Sequence, residues 1–547
     1  MNQDNSICDN RVRRYIPPER IVWQTKGETT PEHAERLLFN RTDVTPMWGR
    51  PGCVMKNGAG ILLDYGRELH GGVQLLLADQ VDRSPVWLRI RFGESASEAM
   101  HGSNQDHAIH DSLVQAPAAG MLEFGNTGFR FVRIDVVDEG RYVELKQARA
   151  VLLYRDLEHK GAFESDDQRL NDIWKTGAYT VHLNMQDQVW DGIKRDRTVW
   201  IGDLHPEMMV ISTVFGDVDV VRHSLDLKRD ETPLPHFMNN HGSYSLWWII
   251  CHHDWYLYHG NLSYLREQKD YLLALLEHLQ AQIGEDCGEC LPNGFLDWPT
   301  SPDQAAVHAG LQALMVCGFR HAAGLCAILD EPGMQQQCER TIARLLKHQV
   351  HHGGRKSPAA MMVLAGMLDP TQANREVLGL NPFGGVSTFY GYYVLQARAQ
   401  AQDYQGCLDL IRSYWGAMLD FGATTFWEDF DLTWTENAAP IDELVPKGKR
   451  DLHADCGDFC YKGLRHSLCH GWAGGPTAWL TEHVLGLKPL EPGCRRLLIH
   501  PHLADLEWAR GTLPTPHGIV RVSHERNADG TVQSDISAPE GITVVQK

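Results

Sequence analysis

Thirteen residues from Asp191 to Asp203 carry three carboxylates (Asp191, Asp196, Asp203) and three cations (Lys194, Arg195, Arg197), with Trp190 and Trp200 bracketing most of them. No apolar face repeats there at period 2 or 3.6, so the stretch reads as neither strand nor amphipathic helix. A solvated loop has no use for two tryptophans. The pattern fits a loop at the rim of a pocket, its charges paired with each other and with a polar ligand, because buried charges persist only when paired and hydrogen-bonded. Carboxylates for acid and base work, charged groups for hydroxyls and indole faces for the C–H face of a pyranose are what a sugar site needs. The competing reading is a structural ion-pair loop covering a domain interface.

Two further clusters share this character: Trp427, Glu428, Asp429, Asp431, Trp434 and Glu436, and then Asp297, Trp298 and Asp303. Cleaving a glycosidic bond takes two carboxyls, one protonating the leaving oxygen and one activating water or attacking carbon. Asp191, Asp196 or Asp203 could supply one and Glu428 the other. For Glu428 the alternative is an acidic helix start, since Asp429 and Asp431 follow it. Cys287 and Cys290 form a CxxC without a second pair at zinc-ligand spacing. His348, His351 and His352 read as a solvated helix end.

The elements that must position these clusters follow from hydrophobic periodicity. Residues 1–40 are polar and read as an arm across the surface. From 41 to 160, short alternating runs at 60–65, 73–77, 86–92, 129–137 and 143–153, with a turn candidate at 66–72, predict an antiparallel β-sandwich. Ser165 and Gln168 form a capping-box pattern, and helical spacing begins there. Candidate helices lie at 166–185, 204–215, 217–228, 244–259, 262–283, 303–329, 332–350, 357–368, 386–401, 403–419, 457–467 and 472–485. Twelve helices with long, aromatic loops suit a toroid of six helix pairs over 161–487. A small β domain closes the chain at 488–547, with strands at 496–500, 519–523, 532–536 and 542–545.

The 547 residues carry a net charge of −19, which disfavours nucleic acid and anionic membranes as partners. The first residues lack the basic and apolar regions of a signal peptide. No unbroken run of about 18 apolar residues predicts a membrane span. Thirteen scattered cysteines read as reduced thiols of a cytoplasmic protein.

The segment 191–203 (DGIKRDRTVWIGD) resembles the signature loop of the α-L-rhamnosidases of glycoside hydrolase family 78, and 422–428 (GATTFWE) resembles their second catalytic motif. Residues 162–174, 467–475 and 479–487 resemble the start and end of the family's catalytic domain, and 63–68 and 91–95 its β-sandwich. The resemblance implies a six-pair (α/α) barrel flanked by β domains, and an exo-acting glycosidase that releases terminal α-L-rhamnose from small glycosides by inversion, with neither metal nor cofactor. It puts the general acid on Asp196 and the general base on Glu428. Asp191 and Asp203 fall on acids that hold the sugar. Arg195 and Asp297 join them as candidate contacts, Trp200, Trp247, Trp298 and Trp427 would line the sugar pocket, and His470 matches a histidine near it. The resemblance to small members of the family also allows for a homodimer. One position departs: the usual acid is Glu, one methylene longer than Asp196. Arg195 and Arg197 flank that Asp, and the working expectation pairs them with Asp191 and Asp203, away from it. The same scaffold acting on another terminal sugar, and a sugar binder without turnover, are the rival readings.

Overall fold

In a computed structural model of the chain, residues 9–39, 51–78, 84–102, 106, 108–459 and 461–547 are described. The expected boundary between arm and sandwich, at 40/41, lies outside them. The N-terminal β domain is an antiparallel sheet dominated by three long strands, Gly60–Leu77, Gly120–Val136 and Tyr142–Arg155. The residues expected as a surface arm are part of it: Arg11–Ile16 pairs with Tyr142–Arg155, and Arg20–Gln24 pairs with Gly60–Leu77. The predicted turn at 66–72 is instead the irregular middle of one strand, whose register shifts between Asp64 and Leu69 and between Gly71 and Val73. Bulges bend a strand while pairing continues, so its two halves meet different neighbours.

The central domain is a closed ring of six helices: α1 (Ile201–Val214), α2 (Gly242–His259), α3 (Gln304–Ile328), α4 (Lys356–Leu364), α5 (Gly391–Gln400) and α6 (Gly475–Trp479). Each touches the next, and α6 touches α1. These helices are apolar nearly all round, and every residue of α1 is buried. The helices that precede them in each pair are amphipathic instead. Asp219–Glu231, for example, buries Val220, Val221, Ser224, Leu225 and Lys228. By length and composition alone α3 is long and apolar enough to cross a membrane, but 67% of that window is buried in the protein. The expected cap is also displaced. Ser165 ends the strand Ala162–Ser165, and Asp167 caps the first helix (Gln168–Asn184), accepting from the N–H groups of Arg169 and Leu170. No long helix forms at 457–467, where Gly457 and Gly463 sit at φ +98° and +59°; one short turn, Gly463–Arg465, remains.

The C-terminal residues build a three-stranded and a four-stranded sheet, and the latter takes Ala162–Ser165 as its edge beside Trp508–Thr515. That strand, assigned by sequence to the helical domain, therefore ties both ends of the ring to the C-terminal domain.

Candidate active site

The loop from Trp190 to Trp200 is clamped between the ring and the N-terminal domain. Ile193 is wholly buried and belongs to the core of the β domain, the cluster that also holds Leu69, Val73 and Phe129. Its carbonyl accepts from Gly128 N–H at 2.8 Å. The approach needs glycine, because a Cβ on Gly128 would lie 2.7 Å from Ile193 Cγ1. Lys194 is buried next to it, with Nζ 2.9 Å from Glu98 Oε1 and 3.6 Å from Glu94 Oε2. The same ammonium donates to the His466 carbonyl at 3.0 Å, and Glu94 accepts from Leu468 N–H at 2.6 Å. Burial raises Glu94 to about 8, and Lys194 opposes that rise. Two glutamates of the β domain thus fasten loop 190–200 to loop 464–470.

Held in this way, the loop turns sharply. Asp196 and Arg197 both have left-handed backbones, φ +55° and +53°. Asp tolerates that region better than most residues, but two non-glycines in succession store strain of order 1–3 kcal/mol each. The turn sends Arg195 inward and leaves the Asp196 side chain 34% exposed at the mouth. Arg195 Nη1 lies 3.4 Å from Asp196 Oδ2, and Nη2 donates to Glu428 Oε2. Its Nε donates to the Arg465 carbonyl at 3.0 Å, and its guanidinium stacks over Tyr461. Arg197 reaches the Asn126 carbonyl instead. The expected pairing of both arginines with Asp191 and Asp203 does not form. One arginine, Arg195, bridges Asp196 and Glu428 instead.

Glu428 sits in a bend, not at a helix start, and Asp431 caps the short turn that follows. Its N–H donates to the Ser467 carbonyl at 3.0 Å, and its Oε2 accepts from Ser467 N–H at 3.2 Å. Burial raises its carboxyl, and Arg195 pulls it back. Asp191 is raised well above the usual range by burial and then by Asp203 and Asp196, while Thr198 N–H stabilises its charge. Asp203 stands in the first turn of α1, where the helix dipole favours an acid, yet burial and Glu428 raise it. One turn on, Glu207 is raised by burial as well. The buried His470 is held neutral, by burial and then by Arg195. Its Nε2 is 3.1 Å from Asp203 Oδ1, and its Nδ1, 3.7 Å from Glu428 Oε1, lacks a hydrogen-bond partner among the described residues.

Asp191, Arg195, Asp196, Asp203, Glu428 and His470 line one cavity of about 220 Å³ at the N-terminal ends of α1 and α2, with Glu207 behind it. Of the residues singled out in the sequence, Asp191, Arg195, Asp196, Trp200, Asp203, Trp298, Glu428 and His470 meet there. Three do not. Trp427 is buried against Phe430, while its neighbour Glu428 lines the cavity. Asp297 is buried behind Trp298, accepting from Ser357 and Ser387 hydroxyls. Trp247 lies one helical turn beyond Tyr244 and stacks on His205 and Tyr393, in a different cavity. The sequence reading missed His241, Tyr244, Phe295, Tyr461, Arg465 and Trp472. Trp472 was within reach, lying inside the 467–475 motif; Tyr461 and Arg465 were hidden by the helix expected over them.

Residues 158–326 match the bacterial alpha-L-rhamnosidase 6 hairpin glycosidase domain, and 486–545 match the bacterial alpha-L-rhamnosidase C-terminal domain. An alpha-L-rhamnosidase of Alteromonas sp. (strain LOR) is 22% identical over 536 residues, covering 87% of this chain and 55% of that protein. The chain spans about half the length of the curated relatives it matches. The GH78 family rhamnosidase of Bacillus sp. GL1 superposes with a TM-score of 0.73 at 21% identity, covering 94% of this chain and 55% of that one. A rhamnosidase from Klebsiella oxytoca with rhamnose bound gives 0.67 at 20% identity, covering 86% of this chain and 96% of that one. Two bacterial alpha-L-rhamnosidase domain models thus match in order, and the fold is shared with rhamnosidases of glycoside hydrolase family 78 over nearly the whole chain.

Proposed function

We propose that this cavity removes terminal α-L-rhamnose from small glycosides with inversion at the anomeric carbon. The observation that carries the reading is the meeting of Asp196 and Glu428 on one guanidinium in a cavity walled by Trp200, Trp298 and Trp472. Asp196, at the open mouth, protonates the glycosidic oxygen as the bond to the anomeric carbon breaks. Glu428, deeper and kept charged by Arg195, takes a proton from a water that attacks that carbon from the other face. The two carboxyls supply both proton transfers, so the step needs no metal. Positive charge developing on the ring faces Asp191, Asp203 and Glu428, a preorganised electrostatic site. His470 Nδ1 is available to a sugar hydroxyl. The interposed guanidinium supports the wider spacing of inverting pairs, about 6.5–9.5 Å, over the roughly 5–5.5 Å of retaining ones. The cavity is smaller than the about 300–1,000 Å³ of drug-sized pockets, which favours a single terminal ring over a polymer.

The test is a panel of nitrophenyl glycosides offered to the purified protein. Turnover of the α-L-rhamnoside alone is the expected result. Turnover of another sugar would support the second reading, favoured by Asp196 standing where the family usually has Glu: a changed terminal sugar on the same scaffold. Tight binding of free rhamnose without turnover would make the protein a binder.

A further inference from the structure

A second cavity, of about 330 Å³, opens further along the inner helices, toward the C-terminal halves of α2 and α3. Asp254 on α2 lies ten residues beyond Tyr244 of the first cavity, about 15 Å at 1.5 Å per residue. His205, Trp247, Asp254 and His321 are among its walls. His253, Asp254 and His321 each place a ligand atom within 4.8 Å of the others, and all three are partly open to solvent. We propose that these three side chains bind a divalent transition-metal ion of the zinc, cobalt or nickel type, apart from the carboxyls assigned to hydrolysis.

The geometry suits such an ion. His253 Nδ1 is 2.7 Å and His321 Nε2 is 3.8 Å from Asp254 Oδ1. Ligands about 2.0–2.2 Å from a tetrahedral ion stand roughly 3.3 Å apart, so shifts of about half an ångström bring each histidine to ligand spacing from Asp254. The tautomer of His321 is already fixed. Its Nδ1 is 2.7 Å from the Cys317 carbonyl, which can only accept, so Nδ1 carries the proton. In the neutral ring this turns the Nε2 lone pair toward a carboxylate too distant to hydrogen-bond, an arrangement that a shared cation relieves. A backbone carbonyl on the far nitrogen is the usual support of a metal-bound histidine. The other carboxylate oxygen is held by His205 Nε2 at 3.1 Å, with His205 Nδ1 in turn 2.8 Å from the Tyr393 hydroxyl. Arg320, a cation on the same cavity wall, points its guanidinium to the Leu364 and Ala365 carbonyls and leaves the site clear. Two imidazoles and one carboxylate favour borderline transition metals over calcium or magnesium and leave coordination positions open to the cavity.

The experiment uses the full chain, stripped with chelator and dialysed. Titration with Co2+ is followed by visible absorption, and titration with Zn2+ by calorimetry. The proposal expects one equivalent bound, with ligand-field bands and without the strong near-ultraviolet band of cobalt thiolate. His321→Gln and His253→Gln should each weaken binding by at least about a hundredfold, more than the 10–100-fold typical of losing an outer support. Cys290→Ser should leave binding unchanged. No stoichiometric binding to the wild type, or affinity that survives in both histidine variants while they remain folded by circular dichroism, would overturn it. Glycoside turnover plays no part in the readout, so the outcome is independent of the proposed hydrolysis.

Discussion

The two cavities of the ring satisfy their charges in opposite ways. In the first, Asp191, Asp196, Asp203 and Glu428 line one cavity with Arg195, whose guanidinium reaches Asp196 and Glu428, and burial raises Asp191, Asp203 and Glu428. In the second, Asp254 has His205 and His253 on its oxygens, and Glu482 accepts from Tyr258, Tyr392 and Gln396. The second sets each carboxylate among neighbouring imidazole, hydroxyl or amide groups. The first concentrates like charge that only outside clamps hold in place: Ile193 in the β-domain core, and Lys194 on Glu94 and Glu98. Carboxyls crowded on one cavity wall are poorly arranged for the resting protein and well arranged for a cationic transition state. The N-terminal domain is therefore part of the site's rigidity, although it presents none of the proposed proton-transfer groups.

Breaking the first cavity should have the largest effect. Glu428→Gln and Asp196→Asn are each expected to lower turnover at least about a hundredfold with folding intact, as loss of a general acid or base does; steady-state kinetics beside circular dichroism check this. Cutting the clamp comes next. Lys194→Met leaves Glu94 and Glu98 buried without their cation, and removing one partner of a buried pair costs about 3–5 kcal/mol, which chemical denaturation measures. Arg195→Gln sharpens the comparison further. The base must be ionised, so activity falls as pH drops through the Glu428 pKa, already raised by burial. Removing Arg195, which lowers that pKa, should move the acidic limb of kcat to higher pH, with turnover down by about tenfold. The smallest effect belongs to the other cavity: Trp247→Phe should change kcat/KM for a nitrophenyl rhamnoside by less than about twofold, because its indole stacks on His205 and not on the sugar.

Much of this was legible before any coordinates, for reasons that also mark the limit. The charged run from Asp191 to Asp203 could not fit a regular element, so it announced a loop, and Trp200 showed that the loop was not merely solvated. The inner helices could be read from their apolar content, and their pairing from their number. Which way neighbours point could not. Trp427 and Glu428, or Asp297 and Trp298, are adjacent in sequence and face opposite sides, and an isolated segment gives no sign of which side is the cavity. Glycines at 457 and 463 decided that Tyr461 and Arg465 would lie on a loop, yet single glycines are tolerated in helices and were read past. The pairing of Arg195 with both candidate catalytic carboxyls depended on two left-handed residues that no periodicity reveals.

The most direct test is to follow hydrolysis of an α-L-rhamnoside by proton NMR and observe which rhamnose anomer forms first, before mutarotation mixes them. With Asp196 as acid and Glu428 activating water across the ring, β-L-rhamnose must appear first. First appearance of α-L-rhamnose would contradict the account, because it would require Glu428 or another carboxyl to bond to the sugar and the pair to work as a retaining one.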